Sequence, residues 1–136
     1  MKEELVFRRL TEEDYKIICD WWKWWWNTVV CKDFLPEHGV GGYMIEKNNT
    51  PIACGFTYET NSKVAFLGWV VSNPKYKKKD RRSIIKLLIK KIEETCKKLG
   101  YKHLFTVCSN KHLINIHKSL NWHNNKKESY ELFKKL

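Results

Sequence analysis

KVAFLGWVVSNPKYKKKDRRSIIKLLIKKIEETCKKLG, residues 63–100, holds a strand, a cationic loop and a helix in one run. Val64 to Val71 is apolar at nearly every position, which predicts a central strand covered on both faces. Pro74 ends it, because proline cannot donate to a ladder. Ile84, Ile85, Leu88, Ile89, Ile92, Cys96 and Leu99 then share one side of a 3.6-residue period, while Lys86, Lys90, Lys91, Lys97 and Lys98 fall largely on the other. Gly100 is the expected residue just past the helix end. Between strand and helix, residues 75–82 carry six cations in eight positions. Helix-opening N–H groups beside such a loop favour an anion, phosphate above all. A solvated, lysine-rich turn is the plainer alternative.

Outward from this run, Glu4 to Leu10 alternates as a first strand, and Thr11 offers a hydroxyl cap to a helix starting near Glu12. That helix runs into Trp21-Trp22-Lys23-Trp24-Trp25-Trp26, five tryptophans in six residues, so some indoles must lie near the surface. Such a cluster fills a core and a dimer contact, or it stacks ligand rings. Residues 28–42 hold Pro36, Gly39, Gly41 and Gly42 and read as a loop returning to the sheet. Tyr43 to Lys47 and Ile52 to Tyr58 form a hairpin around Asn48-Asn49-Thr50-Pro51, and the strand from Val64 completes a three-stranded meander. Beyond Gly100 come a strand over Tyr101 to Cys108, a short helix over Asn110 to Leu120, and an expected last strand over Glu128 to Lys134. The crossover from Val64 to Cys108 makes its two strands parallel if they are neighbours. The fold class is therefore α/β of the α+β kind, a mixed, mostly antiparallel sheet flanked by helices.

The 136 residues suit one domain, 1–136, with 43% apolar and 30% charged residues, a soluble globular composition. No apolar run is long enough to span a bilayer and Met1-Lys2-Glu3-Glu4 does not open a signal peptide, so a cytoplasmic protein without a membrane partner is expected. Cys19, Cys31, Cys54, Cys96 and Cys108 show no CxxC or zinc-type spacing, which predicts reduced thiols and no metal. The net charge of +11 calls for an anionic partner: a nucleotide cofactor, nucleic acid or an acidic protein.

Three segments now bring a family into view: Phe7 to Asp14, Trp69 to Lys77, and Leu99-Gly100-Tyr101 with the helix and strand that follow. With this order of elements the chain resembles the GCN5-related N-acetyltransferases (GNAT superfamily) along nearly its whole length. It is also similar to short, glycine-poor GNAT-like proteins encoded by bacteriophages, through Leu35-Pro36, Gly55 to Tyr58 and Ser72-Asn73-Pro74. That likeness implies the host cell cytoplasm.

The resemblance implies acetyl-CoA as co-substrate, an amine acceptor of unknown identity, and transfer of the acetyl group between them. It implies that backbone groups of Val70 and Val71 pair with the pantetheine arm and that Lys77, Lys78, Lys79, Arg81, Arg82 and Ser83 receive the diphosphate. Asn110 matches a pantetheine-contacting position and is equally suited to cap the next helix. The family's loop reads Arg/Gln-x-x-Gly-x-Gly/Ala, whereas this chain has Lys77 at the basic position and Asp80 and Arg82 where glycines belong. Either the cations replace part of the backbone cradle or the pocket is lost, leaving a binding module whose basic surface takes nucleic acid or an acidic partner. Aligning Leu120-Asn121-Trp122 with the family's Leu-Gly-Phe places His117 where a tyrosine acid often stands. Histidine can donate a proton near neutral pH, and a half-buried packing role is its alternative. The central strand carries no carboxylate base. Glu37, Glu46 and Glu59 are the nearest acids, each suited to a solvated surface.

Overall fold

The computed structural model describes residues 4–136; residues 1–3, included in the expected domain, lie outside it. Strands β1 (Leu5–Arg9), β2 (Gly42–Lys47), β3 (Thr50–Tyr58), β4 (Val64–Ser72) and β5 (His103–Thr106) form one sheet in that order. The first four are antiparallel neighbours and β5 runs parallel to β4, as the crossover requires. This is the mixed α+β sheet expected from the sequence.

Helix α1 (Asp14–Trp26) covers one face of the sheet, while α2 (Arg81–Lys98) and α3 (Lys111–Ser119) lie on the other. Trp21, Trp22 and Ile18 pack with Met44, Cys54, Phe56 and Val71 on the α1 side. Ile84, Leu88, Ile89 and Ile92 pack with Ile45, Ala53, Ala65 and Leu67 on the other. Strand alternation divides the two sets, since neighbouring side chains on a strand face opposite ways. The end of α2 is tied by Gly100 N–H to Lys97 O and Tyr101 N–H to Cys96 O, with Gly100 at φ +99°.

Several expectations change. Strand β4 is not covered throughout: Phe66 is 44% exposed and meets the also exposed Phe105 edge to face at 5.4 Å, because α1 does not reach that end of the sheet. Leu99 is exposed, being the cap residue beyond the last packed turn. Thr11 does not cap α1 with its hydroxyl. Instead its N–H and Oγ1 both donate to Asp14 Oδ2, and the helix starts at Asp14. No strand forms at Glu128 to Lys134: among the described residues the tail has no ladder partner, Leu132 is 91% exposed, and Phe133 meets Phe34 edge to face with ring centres 5.7 Å apart. All five cysteines are free thiols.

Candidate functional site

Pairing between β4 and β5 runs from Val64–His103 to Leu67–Thr106 and stops. Thr106 Oγ1 donates to Leu67 O at 2.7 Å, so a side chain takes the carbonyl where the ladder ends. From Gly68 to Ser72, β4 continues with no strand partner on its β5 side among the described residues. A bulge turns it there: Phe56 faces Gly68 and Cys54 faces Val71, leaving Gly55 opposite both Trp69 and Val70. A Cβ on Gly55 would stand 3.0 Å from Leu67 Cδ1 and 3.3 Å from Val70 Cγ2, a tight fit that those side chains would have to shift to admit. Trp69 sits at φ +57°, a left-handed conformation that bulky residues avoid. It is held there by Trp69 Nε1 donating to the Tyr58 hydroxyl at 2.6 Å, which in turn donates to Phe34 O at 2.5 Å. Backbone strain of this kind collects at functional sites.

Parallel strands end at the same edge of a sheet. The open edge of β4 with Val70 and Val71, the loop carrying Lys77, Lys78 and Lys79, the start of α2 with Arg81, Arg82 and Ser83, and Asn110 at the start of α3 therefore gather at one end. Val71 is buried under α1, and Val70 packs on the α2 side. Lys77, Lys78, Lys79, Arg82 and Ser83 are exposed. Arg81 is half-buried, its guanidinium carbon 5.5 Å from the ring centre of Trp25. The Asn110 side chain accepts from Leu113 N–H at 3.1 Å, so it caps α3.

Asp80, the residue most at odds with an anion site, is turned away from it. Its Oδ2 accepts from Lys47 Nζ and its Oδ1 from the Tyr76 hydroxyl, both at 2.5 Å, and it makes no side-chain cap to α2. Lys47, then Tyr76, hold the Asp80 carboxyl below the usual carboxylate value, so its charge is neutralised inside the protein. The Arg82 and Ser83 N–H groups, in the first turn of α2, have no intrahelical acceptor. Free donors, the positive helix end and the loop cations then act on the same space.

His117 is 4% exposed on α3. Its Nδ1 lies 2.8 Å from Leu113 O, which fixes the proton on Nδ1, and its Nε2 is buried without a hydrogen-bond partner among the described residues. Trp122 meets the ring edge to face at 4.7 Å and anchors itself on Glu93. Burial pushes the His117 pKa down, so the ring is neutral at pH 7. Among the sequence-predicted acids, Glu37 pairs with Arg9 and Glu46 with Arg8. Burial also raises the thiols, Cys96 to about 11 and Cys108 as well, so neither is a thiolate at neutral pH.

Three contacts were missed in the sequence: Lys47 with Asp80, Tyr58 with Trp69, and Trp25 with Ser72. Each joins residues far apart in the chain, 33, 11 and 47 positions respectively. Only the odd chemistry of a lysine inside a strand and an aspartate at a glycine position marks the first pair. Among the described residues, no three His, Cys, Asp or Glu side chains gather as metal ligands, and no helix is long and apolar enough to cross a membrane.

Several solved acetyltransferases share this architecture. A Trypanosoma brucei acetyltransferase superposes with a TM-score of 0.67 at 14% identity, covering 96% of this chain and 100% of its own. AAC(6')-Iy in complex with the bisubstrate analog CoA-S-monomethyl-acetylneamine gives 0.68 at 11%, covering 96% and 99%. The ribosomal-protein-S18-alanine N-acetyltransferase from Escherichia coli gives 0.68 at 18%, covering 86% and 76%. At these identities the likeness is one of fold. No curated protein matches the sequence. The model of the acetyltransferase (GNAT) family matches residues 4–122, and the chain belongs to that family.

Proposed function

We propose that the protein is an acyl-CoA-dependent N-acetyltransferase that moves the acetyl group of acetyl-CoA to an amine. One observation carries the reading: β4 and β5 part after Leu67 and Thr106, beside a helix start whose first-turn donors have no intrahelical acceptor and whose Asp80 carboxylate is paired with Lys47. In this reading the pantetheine arm runs along the free β4 edge at Val70 and Val71. The diphosphate takes the Arg82 and Ser83 N–H groups and the charges of Lys77, Lys78, Lys79 and Arg81, with Asn110 flanking the arm. A substituted loop keeps its function because cations supply what glycine backbone supplies elsewhere.

The acceptor nitrogen attacks the thioester carbon, the N–C bond forms and the C–S bond breaks. The nitrogen loses a proton and the departing sulfur gains one. His117 is the proposed proton carrier, since its Nε2 is unpartnered while Nδ1 is occupied. Holding the amine and thioester together supplies most of the acceleration.

Titration calorimetry with acetyl-CoA, followed by a melting curve in its presence, tests the proposal. Saturation at about 100 times Kd adds about 2.7 kcal/mol to stability. Replacing Lys77, Lys78 and Lys79 by alanine together weakens binding and flattens its salt dependence. An absence of heat and of any melting shift at millimolar acetyl-CoA rejects it. Affinity for DNA or RNA that falls steeply with salt, with none for acetyl-CoA, would instead identify a nucleic-acid-binding module.

A further inference from the structure

The tryptophan cluster divides. Trp21 and Trp22 are core residues, whereas Trp24, Trp25 and Trp26 are exposed. Successive helix positions point about 100° apart, so these three indoles fan out and form no row. Trp26 lies against Trp22, with ring centres 6.3 Å apart. Trp24 is 67% exposed. Trp25 alone is built into the mouth of the β4–β5 opening. Its Nε1 donates to Ser72 O at 2.8 Å, at the last residue of β4, and Arg81 at the start of α2 faces its ring at 5.5 Å. The ring is thus held from two elements and is still 42% exposed.

We infer that Trp25, with Arg81, is a stacking platform for the nucleotide base of the coenzyme, adenine, an inference that rests on the acetyl-CoA reading of the same groove. An aromatic face fixed in one orientation loses little rotamer freedom when a flat ring lies on it. Stacking of a base on such a face is strong and tolerant of base identity. The Arg81 guanidinium, polarised over the indole, presents donors toward the phosphates of the same molecule. A single fixed ring beside one helix start matches one nucleoside with its phosphates. A strand of nucleic acid calls for several rings in line, which the fan of Trp24, Trp25 and Trp26 does not supply.

The probe is adenosine 3′,5′-bisphosphate, the nucleotide half of the coenzyme, titrated into the full chain by calorimetry. Trp25→Ala weakens its binding about tenfold, Trp25→Phe keeps most of it, and Trp24→Ala leaves it unchanged. The same Trp25→Ala change raises the ratio of Kd for acetyl-CoA to Kd for S-acetyl-pantetheine, which lacks the nucleotide. No binding by the wild type, equal binding by Trp25→Ala, or an equal loss in Trp24→Ala overturns the inference. So does a single-stranded oligonucleotide that binds through Trp25 more tightly than the bisphosphate. If the bisphosphate binds through Trp25 but acetyl-CoA does not bind, the platform stands and the acetyltransferase reading fails.

Discussion

Lys47 Nζ reaches across 33 residues of sequence to Asp80 Oδ2 at 2.5 Å, joining the end of β2 to the residue that opens α2. The lysine is buried and the aspartate only partly so, and Tyr76 completes the group from the loop between them. An acid that looked hostile to a bound diphosphate is spent on an internal cation.

The pH response of this group has a definite sign. The Asp80 carboxyl is held below 3.8 by Lys47 and Tyr76, so it contributes stability that is present above about pH 4 and is lost as pH falls through the lowered value. Asp80→Asn therefore reduces stability at pH 7 and shows a weaker further loss from pH 4 to pH 2 than the wild type. Urea midpoints across that range measure it. Superimposable pH curves would refute the pairing, while a residual slope is expected because Asp14 is lowered too.

Arg8 forks onto Asp14, with Nη1 to Oδ2 at 2.7 Å and Nη2 to Oδ1 at 2.9 Å, and reaches Glu46 at 3.1 Å. Burial raises the Asp14 carboxyl, but the bonds from Arg8 and the Thr11 N–H more than offset it. Arg8→Ala leaves that carboxylate buried with only Thr11 and costs about 3 kcal/mol. Arg8→Lys recovers part, since an ammonium cannot make the fork. A measured loss under about 1 kcal/mol in chemical denaturation for the alanine variant would sink this account.

His117 responds to pH with the same sign as Asp80, in a window nearer neutrality. Burial lowers its pKa beneath 6.5, so stability is complete above that value and declines below it as the unfolded state takes up the proton first. His117→Leu removes both the Leu113 bond and the orphaned Nε2, leaving stability at pH 7 within about 1 kcal/mol and flattening the profile between pH 6.5 and 5. If the ring carries the proton in transfer, kcat of the same variant falls about 100-fold with KM little changed. Unchanged kcat would leave His117 a packing residue.

Gly100 and Gly42 separate conformational strain from collision. Gly100 has φ +99° and open space where a Cβ would go, so Gly100→Ala costs about 1 kcal/mol from strain alone. At Gly42 a Cβ would lie 2.3 Å from Gly55 O and 2.9 Å from Phe56 Cα, both backbone atoms that cannot swing aside. Gly42→Ala is expected to cost about 3 kcal/mol. Equal denaturation midpoints for the two variants would contradict this difference.

The long helix, the hairpin, the parallel crossover and the basic loop were legible because each rests on local periodicity and turn chemistry, which a chain displays in order. The expected last strand was not, since Glu128 to Lys134 has strand-like residues but a strand exists only against a partner edge. The Thr11 cap misled for a related reason: Asp14, drawn inward by Arg8 from β1, takes the Thr11 N–H and hydroxyl for itself.

By itself the sequence determined that a hydrophobic strand hands a cationic loop to an amphipathic helix, because patterning and proline placement act over a few residues. Only the tertiary structure decided that the strand is bulged at Trp69, that it parts from β5 at Leu67, that Asp80 faces Lys47, and that Trp25 stands at the opening. These depend on contacts between residues 11 to 47 positions apart. Such contacts form where packing brings side chains together, and no local propensity encodes them.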